Sequence, residues 1–173
     1  DFVAAHPSAF KAVLFEMSGA YLLRGADGHL GVQTEIERLP LDAVVPSLTL
    51  AEDEIGRVNA VLVDLARILP VVWIGPRIEP QVQLEWLVSR GCDRGLGIRS
   101  GTEANFARLD DSLARSSSVP FLSQNRLFDL TFPPDLGGCD GLLWKDGDHF
   151  SKLGTEEMAR RADVAAAALA LLR

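Results

Sequence analysis

Among the residue types that carry chemistry, the sharpest arrangement lies near the C-terminus, in Trp144-Lys145-Asp146-Gly147-Asp148-His149-Phe150-Ser151. Asp146 and His149 are three positions apart, with Gly147 between them. At that spacing a carboxylate folds back onto the imidazole Nδ1. It then fixes the tautomer, supports an imidazolium and leaves Nε2 as a general base. Asp148 competes for the same task, but its side chain at i−1 is expected to point away, so Asp146 is the expected partner. The plainer alternative is a surface histidine among turn and capping aspartates. The other histidines offer less: His6 lies in a terminal segment and His29 in a Gly-containing loop.

Weaker candidates sit at strand ends, where function gathers in an open parallel sheet. Ser18-Gly19 closes one strand and can supply an oxyanion donor or, as an alternative, a nucleophilic hydroxyl. Arg77 and Glu79 follow Gly75-Pro76 and can face a substrate, with an exposed ion pair as the default. Ser123-Gln124-Asn125 ends a third strand. Trp144 can stack on a sugar ring, whereas Trp73, inside an apolar strand, belongs to the core. The cysteines, Cys92 and Cys139, each follow a glycine in loop-like sequence and lack zinc-ligand spacing. Two free thiols and one pair remain open, to be decided by compartment. No residue set calls for a metal or an organic cofactor.

These residues need elements to position them. Ala12–Met17 reads as a buried parallel strand, Val71–Ile74 as a second and Ser118–Leu122 as a third. Thr49 and Glu52 have the spacing of a capping box, opening a helix to about Leu69 with Ile55, Val58, Leu62 and Leu65 on one face. Gln81–Val88 suits a short helix, and Thr102–Arg115 a longer one with Phe106, Leu109 and Leu113 inside. Arg24–Val45 and Leu127–Asp140 read mainly as loops. A single helix from Leu153 or Gly154 closes the chain. Alternating strands and helices predict an α/β fold, a parallel sheet with helices on both faces.

The whole chain bounds the function. Its 173 residues suit one domain, and 47% hydrophobic with 24% charged residues excludes bulk disorder. A net charge of −7 argues against a general nucleic-acid binder. No apolar run approaches a membrane span, and no signal peptide is visible. The chain opens on Asp1 rather than Met, and three strands are few for such a sheet. Together these suggest a C-terminal portion of a longer protein, lacking an N-terminal strand-helix-strand unit.

Asp146, His149, Phe150, Ser151 and Gly154 resemble the last block of SGNH/GDSL hydrolases, Asp-x-x-His-(Leu/Phe)-Ser-x-x-Gly. Gly138-Cys139-Asp140-Gly141 is similar to the Cys-containing lead-in of SGNH domains fused to acyltransferase-3 membrane proteins. Val71–Pro76 and Ala12–Tyr21 resemble two further blocks, so the resemblance extends over residues 8–165. It implies a single three-layer α/β/α domain over 1–173 with Ser-His-Asp chemistry on acyl esters of carbohydrate, and no cofactor. His149 would be the base and Asp146 its partner. It also implies an extracytoplasmic domain tethered to a membrane acyltransferase domain, where a Cys92–Cys139 disulfide can form. Two departures stand out: no Gly-Asp-Ser occurs anywhere in the chain, and Met17-Ser18-Gly19 replaces the usual Asn of the third block. An upstream nucleophile, Ser18 as nucleophile, and a non-catalytic carbohydrate- or protein-binding domain all fit those departures.

Overall fold

The computed structural model describes residues 5, 9–40, 42–81, 97–138 and 140–173. His6, Cys92 and Cys139, and the expected helix beyond Gln81, lie outside the described residues. The fold is mixed α/β. Its main sheet has three parallel strands, β1 (Val13–Glu16), β4 (Val71–Ile74) and β5 (Phe121–Leu122), in the order β1-β4-β5. Val13 pairs with Val71, Phe15 with Trp73, and Trp73 with Phe121.

β4 is the central strand, which explains its unbroken apolar run: all four residues are buried. β1 departs from the expected buried strand. Among the described residues it has a β-neighbour on one side only, and its own residues alternate between half-buried and exposed, with Leu14 42% exposed. Val13 and Phe15 turn inward onto Trp73, whose ring meets Phe15 and Phe121 edge-on at 6.1 and 6.2 Å.

Two long helices add to that core, beside residues such as Leu22, Leu23, Ile36 and Leu48. α2 (Glu52–Ala66) buries Ile55 and Leu62, with Val58 and Leu65 packed beside them. α3 (Thr102–Ser116) buries Phe106, Leu109 and Leu113, as its spacing predicts. The capping box expected at Thr49 does not form. Ala51 is the N-cap, without a side-chain bond, while Thr49 pairs with Arg24 where β2 (Leu23–Arg24) meets β3 (Thr49–Leu50). Sheet pairing has claimed the capping residue, and the acidic first turn Glu52-Asp53-Glu54 favours the helix start instead.

Both expected loops hold structure. Residues 24–45 include α1 (Gln33–Arg38), and residues 127–140 a 3-10 turn (Pro134–Leu136) and the strand β6 (Gly137–Gly138), which pairs with β7 (Gly141–Leu142). The short α4 (Gln124–Phe128) follows β5 directly. The closing helix is two helices, α5 (Lys152–Arg161) and α6 (Val164–Ala170). The break falls at Ala162-Asp163, because Asp163 accepts the Ala166 N–H and so starts a new helix. Among the described residues, no helix is long and apolar enough to cross a membrane.

Candidate functional site

The carboxyl ends of β1, β4 and β5 and the loop before α5 are tied into one network. The loop is a closed excursion: Trp144 bridges Phe150 in antiparallel fashion, and the Lys145 N–H donates to the His149 carbonyl at 3.0 Å. Trp144 is its anchor. The indole is 1% exposed, donates from Nε1 to the Asp135 carbonyl at 2.7 Å and lies 4.4 Å from the Phe150 ring. The expectation that Trp144 stacks on a sugar is therefore corrected: its ring is spent inside the protein. Trp73, fully buried, is core as expected.

Within the loop, Asp146 Oδ1 accepts the backbone N–H of His149 at 2.8 Å and of Asp148 at 3.2 Å. That turn brings the imidazole Nδ1 to 2.9 Å from the same oxygen, the pairing the sequence predicts. Asp148 does not point away as expected. The same tight turn places its Oδ1 2.8 Å from Nδ1, so the ring sits between two carboxylates. The two acids behave differently. Partial burial raises the Asp146 carboxyl, but bonds from the amides and side chains of His149 and Asp148 outweigh it and hold the group below the usual carboxylate range. Burial and the shared bond with Asp146 push Asp148 up, against the pull of His149 and Arg77. His149 is more than half exposed, which leaves its ring open to solvent and substrate. Asp146, Asp148 and His149 each offer an atom with which to ligate a cation, all within 4.8 Å of one another, and they are the residues able to hold a metal here.

The exit of β4 fastens this loop to the sheet. Gln81 donates its N–H to the Gly147 carbonyl at 2.8 Å, and the Arg77 guanidinium donates to the Asp148 carbonyl. Gly147 packs closely here: an added Cβ would lie 2.6 Å from Glu37 Oε1. From the β5 side, Gln124 Nε2 donates to the Gly75 carbonyl at 2.8 Å, and Asn125 Oδ1 accepts the Ile78 N–H at 2.5 Å. The Ser123-Gln124-Asn125 segment thus braces the β4 exit.

Arg77 and Glu79 do not form the expected exposed ion pair. Arg77 pairs with Glu16 at 2.9 Å, and its guanidinium lies 4.7 Å from the Phe150 ring centre. Glu79 is 2% exposed. Its Oε1 accepts the Gly19 N–H at 3.1 Å and its Oε2 accepts from Gln81 Nε2 at 2.9 Å. Burial raises the Glu79 carboxyl to about 7, against the bonds from Ser18 and Gly19 and the charge of Arg77. The nearby Asp148 charge adds to the rise.

Sequence reading missed the Glu79 cluster. The available signal was a lone carboxylate between prolines, straight after the most apolar strand. Gly19 is consequently engaged at its N–H, which removes it as a free oxyanion donor. Ser18 keeps a hydroxyl that is half-buried and accepts the Ala20 N–H at 3.3 Å. Beside the loop, a cleft of about 490 Å³ is lined by the polar Glu16, Arg77 and Gln124 and the apolar Phe128, Phe150 and Met158.

Comparison with protein-family models, with curated proteins and with solved structures finds no match to this chain.

Proposed function

We infer that this chain is an SGNH-type esterase or O-acyltransferase domain, of α/β/α layering, that works on acyl esters of carbohydrate. The observation that carries this reading is the 2.9 Å contact between His149 Nδ1 and Asp146, which leaves Nε2 for proton transfer. The neighbouring cleft supports it: a lining of polar and apolar side chains suits a sugar, with its hydroxyls and its C–H face, or the ester that it carries. A serine preceding Asp1 attacks the acyl carbon as Nε2 of His149 removes its proton. The tetrahedral oxyanion collapses, the C–O bond to the sugar breaks, and the imidazolium returns the proton to the leaving alkoxide. Water or a second sugar hydroxyl, deprotonated in turn by His149, then releases the acyl group. Asp146 stabilises the imidazolium in both halves. An extracytoplasmic setting, tethered to a membrane acyltransferase domain, accompanies this reading.

The full-length protein is expected to hydrolyse p-nitrophenyl acetate, and His149→Ala to abolish that turnover. A serine-directed fluorophosphonate, located by mass spectrometry, is expected upstream of Asp1. Label on Ser18 would move the nucleophile into this chain. Turnover that survives His149→Ala overturns the assigned base. The second reading, a non-catalytic binding domain, is favoured by the lack of Gly-Asp-Ser in the sequence and predicts neither turnover nor label.

A further inference from the structure

Three polar side chains of the cleft beside the His149 loop are bonded to one another. Glu16 Oε1 accepts from Arg77 Nη1 at 2.9 Å and from Gln124 Nε2 at 2.8 Å. Gln124 Nε2 also donates to the Gly75 carbonyl, and Arg77 Nη2 to the Asp148 carbonyl. Arg77 Nε has no partner but is shut off from solvent, out of a ligand's reach. The terminal nitrogens are thus engaged within the protein, whereas a sugar has to find donors for the hydroxyls it buries.

The rest of the lining is mostly hydrocarbon. Thr155, Met158, Ala159 and Ala162 recur at helical spacing, so one face of α5 and its end look onto the cleft. Phe128 and Phe150 meet edge-on at 6.5 Å, and Val164 joins them from the start of α6. Most of these side chains form the molecule's second apolar cluster, apart from the core around Trp73. The two alanines are small and leave the space that the larger side chains surround. Two residues connect that space to the His149 turn. Phe150 follows His149 directly, and Arg77 is bonded to the carbonyl of Asp148, whose Oδ1 lies 2.8 Å from His149 Nδ1.

We propose that this cleft is an acyl-chain site, which selects esters of acyl groups longer than acetyl and leaves the sugar on the solvent side of His149. This rests on the acyl-transfer reading above and decides between the two occupants that the cleft suits. Size agrees with chemistry. A water takes up roughly 30 Å³ of the liquid, so an acetyl group would leave most of the 490 Å³ to water held against apolar walls. A longer chain displaces that water and gains from each methylene it buries.

The test is a series of p-nitrophenyl esters, acetate to octanoate, with the full-length protein. In the wild type kcat/KM should rise by roughly fourfold per added methylene until the chain outgrows the cleft. Ala159 is exposed, so Ala159→Phe can fill the cleft without entering the core, and it should flatten the series. Val61→Phe, in a separate apolar hollow beside Met17 and Val58, should keep the rise and so exclude general apolar attraction. A series that is flat or falls in the wild type, or a rise that survives Ala159→Phe, overturns the acyl site. With acetate turnover still dependent on His149, either result leaves the esterase reading standing. Binding is read without turnover from the Met158 methyl ¹³C signal, assigned by its loss in Met158→Leu. Hexanamide, which ester cleavage leaves intact, should shift that signal, and methyl glucoside should not. A shift with methyl glucoside alone gives the cleft to the sugar and overturns the proposal, as does no shift with either probe. A hexanamide shift in a protein that hydrolyses none of the esters keeps the acyl site and defeats the esterase reading alone.

Discussion

A single oxygen, Asp146 Oδ1, holds both the shape of the loop and the histidine within it, since two backbone amides and the imidazole converge on it. Asparagine at this position can still accept from the amides, so the loop should keep its form. It cannot offer a negative charge to the imidazolium. Asp146→Asn is therefore expected to lower kcat by roughly 10²–10⁴ with little change in KM. Asp148 is equally close to Nδ1 but takes no share in turning the backbone toward the ring. Its carboxyl is raised by burial, while the bonds that converge on Asp146 lower that carboxyl, so Asp146 is the better stabilised carboxylate of the two. Asp148→Asn should accordingly cost less. Steady-state kinetics on both variants decides the matter, and a larger loss in Asp148→Asn would reverse the two roles. Asp148 does not point away as its place beside His149 suggests, because the turn at Asp146 curls the backbone and brings both acids to the ring.

At the scale of elements, the loop depends on how α5 begins. Ser151 caps the helix by accepting the Gly154 N–H at 3.0 Å, and its hydroxyl donates to the Leu142 carbonyl at 2.6 Å. Gly154 lets the first turn of α5 lie directly on the preceding chain: a Cβ there would stand 1.9 Å from the Leu143 carbonyl oxygen. Backbone has no rotamer by which to yield. Gly154→Ala is thus expected to destabilise the fold by about 2 kcal/mol or more and to displace the His149 loop, with turnover falling too. Urea denaturation and p-nitrophenyl acetate assays check both effects. The sequence made Ser151 and Gly154 readable through motif spacing, and β4, α2 and α3 through apolar runs and helical periodicity. Those signals are local. Thr49 was misread because its strand pairing with Arg24 depends on a segment 25 residues away, which no local pattern contains. Glu79 was misread for a similar reason: a carboxylate reads as exposed until the donors that surround it, from β1 and from Gln81, are brought together. Trp144 looked available beside the loop, yet Asp135 and Phe150 enclose it.

At the scale of the molecule, the buried acid leaves a mark on stability. The unfolded chain releases the Glu79 proton at its ordinary value of 4.5, while the folded protein retains it up to about 7. Between those values the native state binds more protons than the unfolded state, so stability must fall as pH rises, and it levels off above the folded value. A displacement of that size corresponds to about 3 kcal/mol for a group this enclosed. Other groups push the opposite way. Asp53, held down by its bond to Arg24, and Glu157, held down by Arg160 and Arg161, lose their contributions only as pH falls toward their lowered values. Asp110, raised by burial despite its bond from Ser123, acts with Glu79. Comparing Glu79→Gln with wild type cancels these shared contributions. Urea denaturation at pH 5, 6, 7 and 8 is expected to show the variant gaining on wild type by about 2–3 kcal/mol across the range, with most of the gain below pH 7. A difference independent of pH would mean that Glu79 is solvated and ionised in the native protein.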